Sequence, residues 1–171
     1  MQLISEGLQA GGVSALLIGG HALAAFGYQR QTVDVDCLMA TPDAHVLHEV
    51  LIGAGYHETE RTDMFARYAH PSVYLLDVDV LLVDRSTFDK LKAKSFVYRV
   101  GEAEMQVPCI LHLIALKLHA MKNNPKRELK DLSDIVELLQ GNPQSVGRKD
   151  LVAVCEQYGP VGVLDQIERH L

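Results

Sequence analysis

The triplet Asp-Val-Asp occurs twice in this chain, at residues 34–36 and 77–79, each time inside an apolar run: VDVDCLM over 33–39 and VYLLDVDVLLV over 73–83. Both runs have the composition of buried strands. In a strand, alternate residues share a face, so the two aspartates of each pair project together, roughly 6.5–7 Å apart. Two carboxylates on one face of an otherwise apolar strand repel each other and lose solvation. To stay ionised they need a cation or a basic partner. Arg30 or a nearby lysine would serve. Mg²⁺ serves better, because it takes hard oxygen ligands from one or two carboxylates and fills its octahedron with water and phosphate oxygens. Two such pairs on two strand-like segments favour the metal. The second pair lies deeper in its apolar run, where burial without a partner costs more.

Around these strands the chain punctuates itself. Residues 3–10 read as a helix ended by Gly11 and Gly12, and 14–18 as a short buried strand. Gly19 and Gly20 turn it into a helical stretch over 21–26. There, unhindered backbone N–H groups at a helix start suit the approach of a phosphate. The pair is not a GxGxxG fingerprint, and no GxxxxGK[ST] loop occurs, so dinucleotide-binding and P-loop readings fail. Thr41 is expected to cap a helix over 44–54 with Pro42 at its first position. Short strands are expected at 56–61, 64–70, 96–100 and 104–107, and a helical turn at 86–91. From Pro108 the period changes: 110–121, 129–139, 150–158 and 161–170 read as helices separated by NNP, GNP and GP breaks. The expected layout is α/β over residues 1–107 and all-helical over 108–171.

With 171 residues, 48% hydrophobic and 22% charged, the chain needs no disulfide or structural metal to hold a core. Cys37, Cys109 and Cys155 are odd in number, far apart and set among apolar residues, which suits reduced thiols in the cytoplasm. The N-terminus MQLISEGLQAGG lacks a basic region and does not read as a secretory signal, and no apolar stretch has the length of a membrane span. A soluble protein is expected. The net charge of −6 is uneven: residues 85–130 hold ten basic and four acidic side chains, a surplus of six. That segment would attract a polyanion such as a triphosphate or an RNA end. His45 with His48, and His112 with His119, lack zinc-type spacing. His21 either packs on the sheet or contacts nucleotide. Cys37 has no basic neighbour and reads as core.

The run LLIGGHALAAFGYQRQTVDVDCLM, residues 16–39, resembles the signature of DNA-polymerase-β-like nucleotidyltransferases: an apolar strand, GG or GS, a helix, then DxD on the next strand. Its GGHAL…G…R.T.D.D form looks most like the small bacterial group of AbiEii-type and minimal nucleotidyltransferases. The resemblance continues through DVDVLLVDRSTF at 77–88, LIALKLHAM at 113–121 and KDLSDIVELL at 130–139. It implies a mixed sheet flanked by helices, with a helical segment packed on that core. It also implies an enzyme of the EC 2.7.7 type that moves an NMP from an NTP to a hydroxyl acceptor: a tRNA end, a protein or a small molecule such as an antibiotic. Gly19 and Gly20 would bind the triphosphate. Asp34, Asp36 and Asp79 would be the catalytic carboxylates holding two Mg²⁺ (or Mn²⁺) ions, with Asp77 the rival third ligand. One metal would activate the acceptor hydroxyl, the other would neutralise the leaving pyrophosphate, and Asp79 would help take the hydroxyl proton. Lys117 would contact phosphate or else snorkel at the surface. Arg30 would neutralise the aspartates, Thr32 would support the strand, and Asp131 and Asp134 would lie on a solvated helix face. A toxin–antitoxin role, with a partner protein, follows from the resemblance alone. The competing expectation is a non-catalytic nucleotide- or partner-binding module with the same fold.

Overall fold

The structure, a computed structural model, describes all residues 1–171. The chain divides into two compact units: residues 1–25 with 29–108, and residues 26–28 with 109–171. No helix is long and apolar enough to cross a membrane.

The first unit is α/β. Its seven strands are β1 (Leu16–Leu17), β2 (Asp34–Ala40), β3 (His57–Arg61), β4 (Phe65–Ala69), β5 (Asp77–Val83), β6 (Ser95–Val100) and β7 (Ala103–Pro108). They form one mixed sheet in the order β3-β4-β5-β2-β1-β7-β6. The pairs β2/β5 and β1/β7 are parallel and the other four antiparallel. Four helices accompany the sheet: α1 (Gln2–Ala10), α2 (Gly19–Leu23), α3 (Ala44–Gly53) and α4 (Arg85–Lys92).

Strand β2 explains where the core ends and a site begins. Cys37, Leu38, Met39 and Ala40 are all fully buried, as in a strand covered on both faces, whereas Asp34 and Asp36 at its start are only half-buried. The apolar half is therefore anchored in the core, and the acidic half emerges from it at the N-terminal end of the parallel β2/β5 pair.

Two local expectations change. The apolar run at 73–83 is a strand only from Asp77 onward, and Val73 and Tyr74 are 90% and 92% exposed in the loop that precedes it. Asp77 thus stands exposed at the first position of β5, so it is not an acid deep in an apolar run. Thr41 does not cap α3: residues 41–43 form a 3₁₀ turn, and the Thr41 hydroxyl donates to the carbonyl of Val83 at 3.1 Å, tying the end of β2 to the end of β5.

The second unit contains α5 (Ile110–Asn123), α6 (Glu128–Gly141), α7 (Arg148–Tyr158) and α8 (Val163–Glu168). Its core is Ile114, Leu118 and Met121 of α5 with Ile135 and Leu138 of α6, Leu151 and Cys155 of α7 and Ile167 of α8, all buried.

Candidate functional site

The parallel register aligns Asp34 with Asp77 and Asp36 with Asp79. Alternation then sets the carboxylates of both strands on one face. Asp34, Asp36 and Asp79 each offer a carboxylate oxygen, and these three oxygens lie within 4.8 Å of one another. Asp77 is not part of this cluster. Three unit charges at such spacing oppose one another by on the order of 3–4 kcal/mol per pair at an effective dielectric of about 20, so the arrangement calls for cations.

Gly19 and Gly20 sit against this cluster. Gly19 has φ +61°, a left-handed conformation that side chains disfavour, and a Cβ there would overlap the carboxylate of Asp36. A Cβ on Gly20 would come within 2.9 Å of Thr32 Cβ and 3.0 Å of its hydroxyl oxygen. Both glycines are thus needed for the turn from β1 into α2 to approach the aspartates. The backbone N–H of Ile18 donates to the carbonyl of Asp36 at 2.9 Å and fixes that approach. Thr32 does more than suit a strand: its hydroxyl donates to Asp34 Oδ1 at 2.8 Å and orients that carboxylate.

Sequence reasoning missed Arg67. Strand β4 places it directly opposite Asp79 in the antiparallel register. Its guanidinium donates through Nε to Asp79 Oδ1 and through Nη2 to Oδ2, both at 2.7 Å. The cation held by the third carboxylate is Arg67. The hydrogen bond to Asp79 raises the Arg67 pKa above its ordinary value. His21 in α2 is half-buried, and its Nε2 is buried without a hydrogen-bond partner. Burial pushes its pKa down, and the nearby Asp34 charge pulls the other way. Cys37 is core, and burial pushes its thiol up to about 12.

Lys117 belongs to the helical unit. Its ammonium donates to Asp134 Oδ2 at 2.6 Å and to Asp131 Oδ1 at 3.4 Å, and Arg127 Nε donates to Asp131 Oδ2 at 2.9 Å. Asp131 and Asp134 are 0% and 1% exposed, so they are buried ion-pair partners and not a solvated helix face. Breaking a buried pair strands the remaining charge. Lys117→Met is therefore expected to destabilise the protein by about 3–5 kcal/mol in urea unfolding. Unchanged stability with a raised KM for nucleotide would instead make Lys117 a phosphate contact. Pairing also thins the basic surplus of residues 85–130, since Arg85, Lys117 and Arg127 are held by acids outside the segment, Asp43, Asp134 and Asp131.

The family model described as "Uncharacterised nucleotidyltransferase" matches residues 1–166. No curated protein is similar enough in sequence to match. Among solved structures, ANT(2")-Ia in complex with adenylyl-2"-tobramycin aligns with a TM-score of 0.69 at 11% identity, covering 91% of this chain and 92% of that one. An antigenic nucleotidyltransferase-like protein from Paracoccidioides brasiliensis aligns at 0.59 and 12% identity, over 98% and 89% of the two chains. The lincosamide antibiotic adenylyltransferase LnuA, lincomycin-bound, aligns at 0.54 and 10% identity, over 77% and 90%. At these identities the likeness is one of fold.

Proposed function

Because the chain belongs to the uncharacterised nucleotidyltransferase family, and is by that membership a nucleotidyl-transferring enzyme, we propose that it moves an NMP from an NTP to a hydroxyl of a small molecule at the Asp34–Asp36–Asp79 site. The observation that carries this reading is the gathering of three carboxylates within 4.8 Å beside a glycine turn that admits no side chain. The donor set is all oxygen, with no thiolate or imidazole in the cluster, which fits Mg²⁺ or Mn²⁺.

Asp34 and Asp36 would hold the ions together with Asp79, and Thr32 would keep Asp34 aimed at them. When bound, the ions neutralise the charge that develops on the phosphates and lower the pKa of an acceptor hydroxyl. Gly19 and Gly20 leave room for a triphosphate to approach the cluster by its backbone. The acceptor oxygen forms a bond to the α-phosphorus, the bridging bond to the β-phosphate breaks, pyrophosphate leaves and the hydroxyl proton is released. Much of the catalysis is then positioning and charge compensation.

A small hydroxylated acceptor is favoured over RNA for two reasons. Two of the structural neighbours are captured with antibiotics or their adenylylated form, and one of them matches this chain over nine-tenths of both lengths. Pairing of three of the ten basic residues at 85–130 with acids outside that segment also weakens it as a polyanion surface. We assign Lys117 to its ion cluster in preference to phosphate binding. The AbiEii-type resemblance would instead favour a tRNA end or a protein, with a toxin–antitoxin role. Three cysteines without a disulfide suit a cytoplasmic setting, where NTPs are available.

Wild type and the Asp34→Ala/Asp36→Ala variant, incubated with each α-³²P-labelled NTP, Mg²⁺, hydroxylated antibiotics, tRNA and cell protein, test this. Label on a small molecule with wild type only is the expected result. Label on tRNA or protein would overturn the acceptor class. Mg²⁺-dependent nucleotide binding without transfer would support the non-catalytic module.

A further inference from the structure

The bidentate Arg67–Asp79 pair is odd for a site that calls for a metal. Both oxygens of Asp79 are already spoken for by two charge-assisted hydrogen bonds at 2.7 Å, in the fork geometry that makes arginine–carboxylate pairs strong. The two partners differ in exposure, however. The Asp79 side chain is 11% exposed and that of Arg67 is 44% exposed, so the guanidinium reaches in from solvent. It lies 5.4 Å from the ring of Phe65, its neighbour two positions earlier on the same face of β4. An arginine held this way can swing out without stranding a buried cation, unlike the Lys117 ammonium, which is enclosed with Asp131 and Asp134.

We propose that Arg67 is the counter-cation of Asp79 in the metal-free site and competes with the divalent ion for that carboxylate. The proposal rests on the carboxylate cluster being the metal site of the proposed function. It has a consequence for order. The Asp79 ligand becomes available only when the guanidinium yields at least one oxygen. Acceptance of the acceptor proton by Asp79 is subject to the same release. Arg67 acts through Asp79 and is a positioning residue, whose removal should strengthen metal binding even where it harms turnover.

The test is Mn²⁺ titration, by calorimetry and by the loss of the free-ion electron paramagnetic resonance signal, of wild type, Arg67→Met, Arg67→Lys and Asp34→Ala/Asp36→Ala without nucleotide. Thermal melts confirm that each is folded. Arg67→Met should bind Mn²⁺ at least tenfold more tightly than wild type. Arg67→Lys, which keeps the charge and loses the fork, should fall between the two and serves if the methionine variant does not fold. Equal or weaker Mn²⁺ binding in both variants would overturn the proposal and leave Arg67 as a brace for Asp79. The underlying metal-site reading fails differently: wild type would then bind no Mn²⁺ even with NTP present, or Asp34→Ala/Asp36→Ala would bind it as well as wild type. Either result removes Arg67's role as well.

Discussion

Asp36→Asn is expected to lower nucleotide transfer by at least about a thousandfold while the protein stays folded. Asparagine has nearly the shape of aspartate and can keep neutral hydrogen bonds, so the half-buried position loses no packing. What it loses is one of three negative charges gathered within 4.8 Å. In the metal-free protein it removes one of three carboxylates that crowd together, a crowding that Arg67 already offsets at Asp79. In the reaction it is loss, since the charge serves to hold the cation facing the phosphates. Activity should therefore fall far more than stability. Scanning calorimetry beside the transfer assay reads both. An active variant, or an inactive one that is simply unfolded, would contradict this account of Asp36.

Gly19→Ala should lower transfer by about a hundredfold or more and destabilise the fold by roughly 1–2 kcal/mol. Two independent costs meet at this residue. Its φ of +61° is left-handed, where a Cβ is strained whatever the surroundings. The Cβ would also occupy the place of the Asp36 carboxylate, which must then turn away or push α2 outward. Misplacement of a catalytic group by about 1 Å is enough for a hundredfold loss. Gly12, with φ +67° and nothing near its missing Cβ, is the matched control: alanine there carries the strain alone. Gly12→Ala should lose comparable stability and keep its activity. Equal activity losses in the two variants would show that backbone strain, and not the approach to Asp36, is what matters at Gly19.

The two Asp-Val-Asp triplets were legible because their logic is local. Period-two alternation puts acids on one strand face, and an apolar neighbourhood makes those acids costly without a cation. The glycine turn was legible for the same reason. The start of β5 was not. The residues at 73–76, Val-Tyr-Leu-Leu, have strand composition, yet they lie in an exposed loop, and composition alone does not say which end of an apolar run pairs. Arg67 was invisible for a different reason. Alternation within FARYA puts Phe65 and Arg67 on one face and Ala66 and Tyr68 on the other. Only the β4/β5 register, a pairing across twelve residues, sets Arg67 opposite Asp79. The ion cluster of the helical unit repeats the lesson. Asp131 and Asp134, three apart on α6, read as a solvated face until α5 supplies Lys117 from fourteen and seventeen residues away.

The most direct measurement is a crystal structure grown with Mn²⁺ and an NTP analogue whose α–β bridge cannot be cleaved, with anomalous data collected for manganese. The account predicts anomalous peaks about 2.1 Å from carboxylate oxygens of Asp34 and Asp36, with the triphosphate beside Gly19 and Gly20 and an Asp79 oxygen freed from Arg67. Nucleotide bound elsewhere, or manganese absent from these three aspartates, would contradict it.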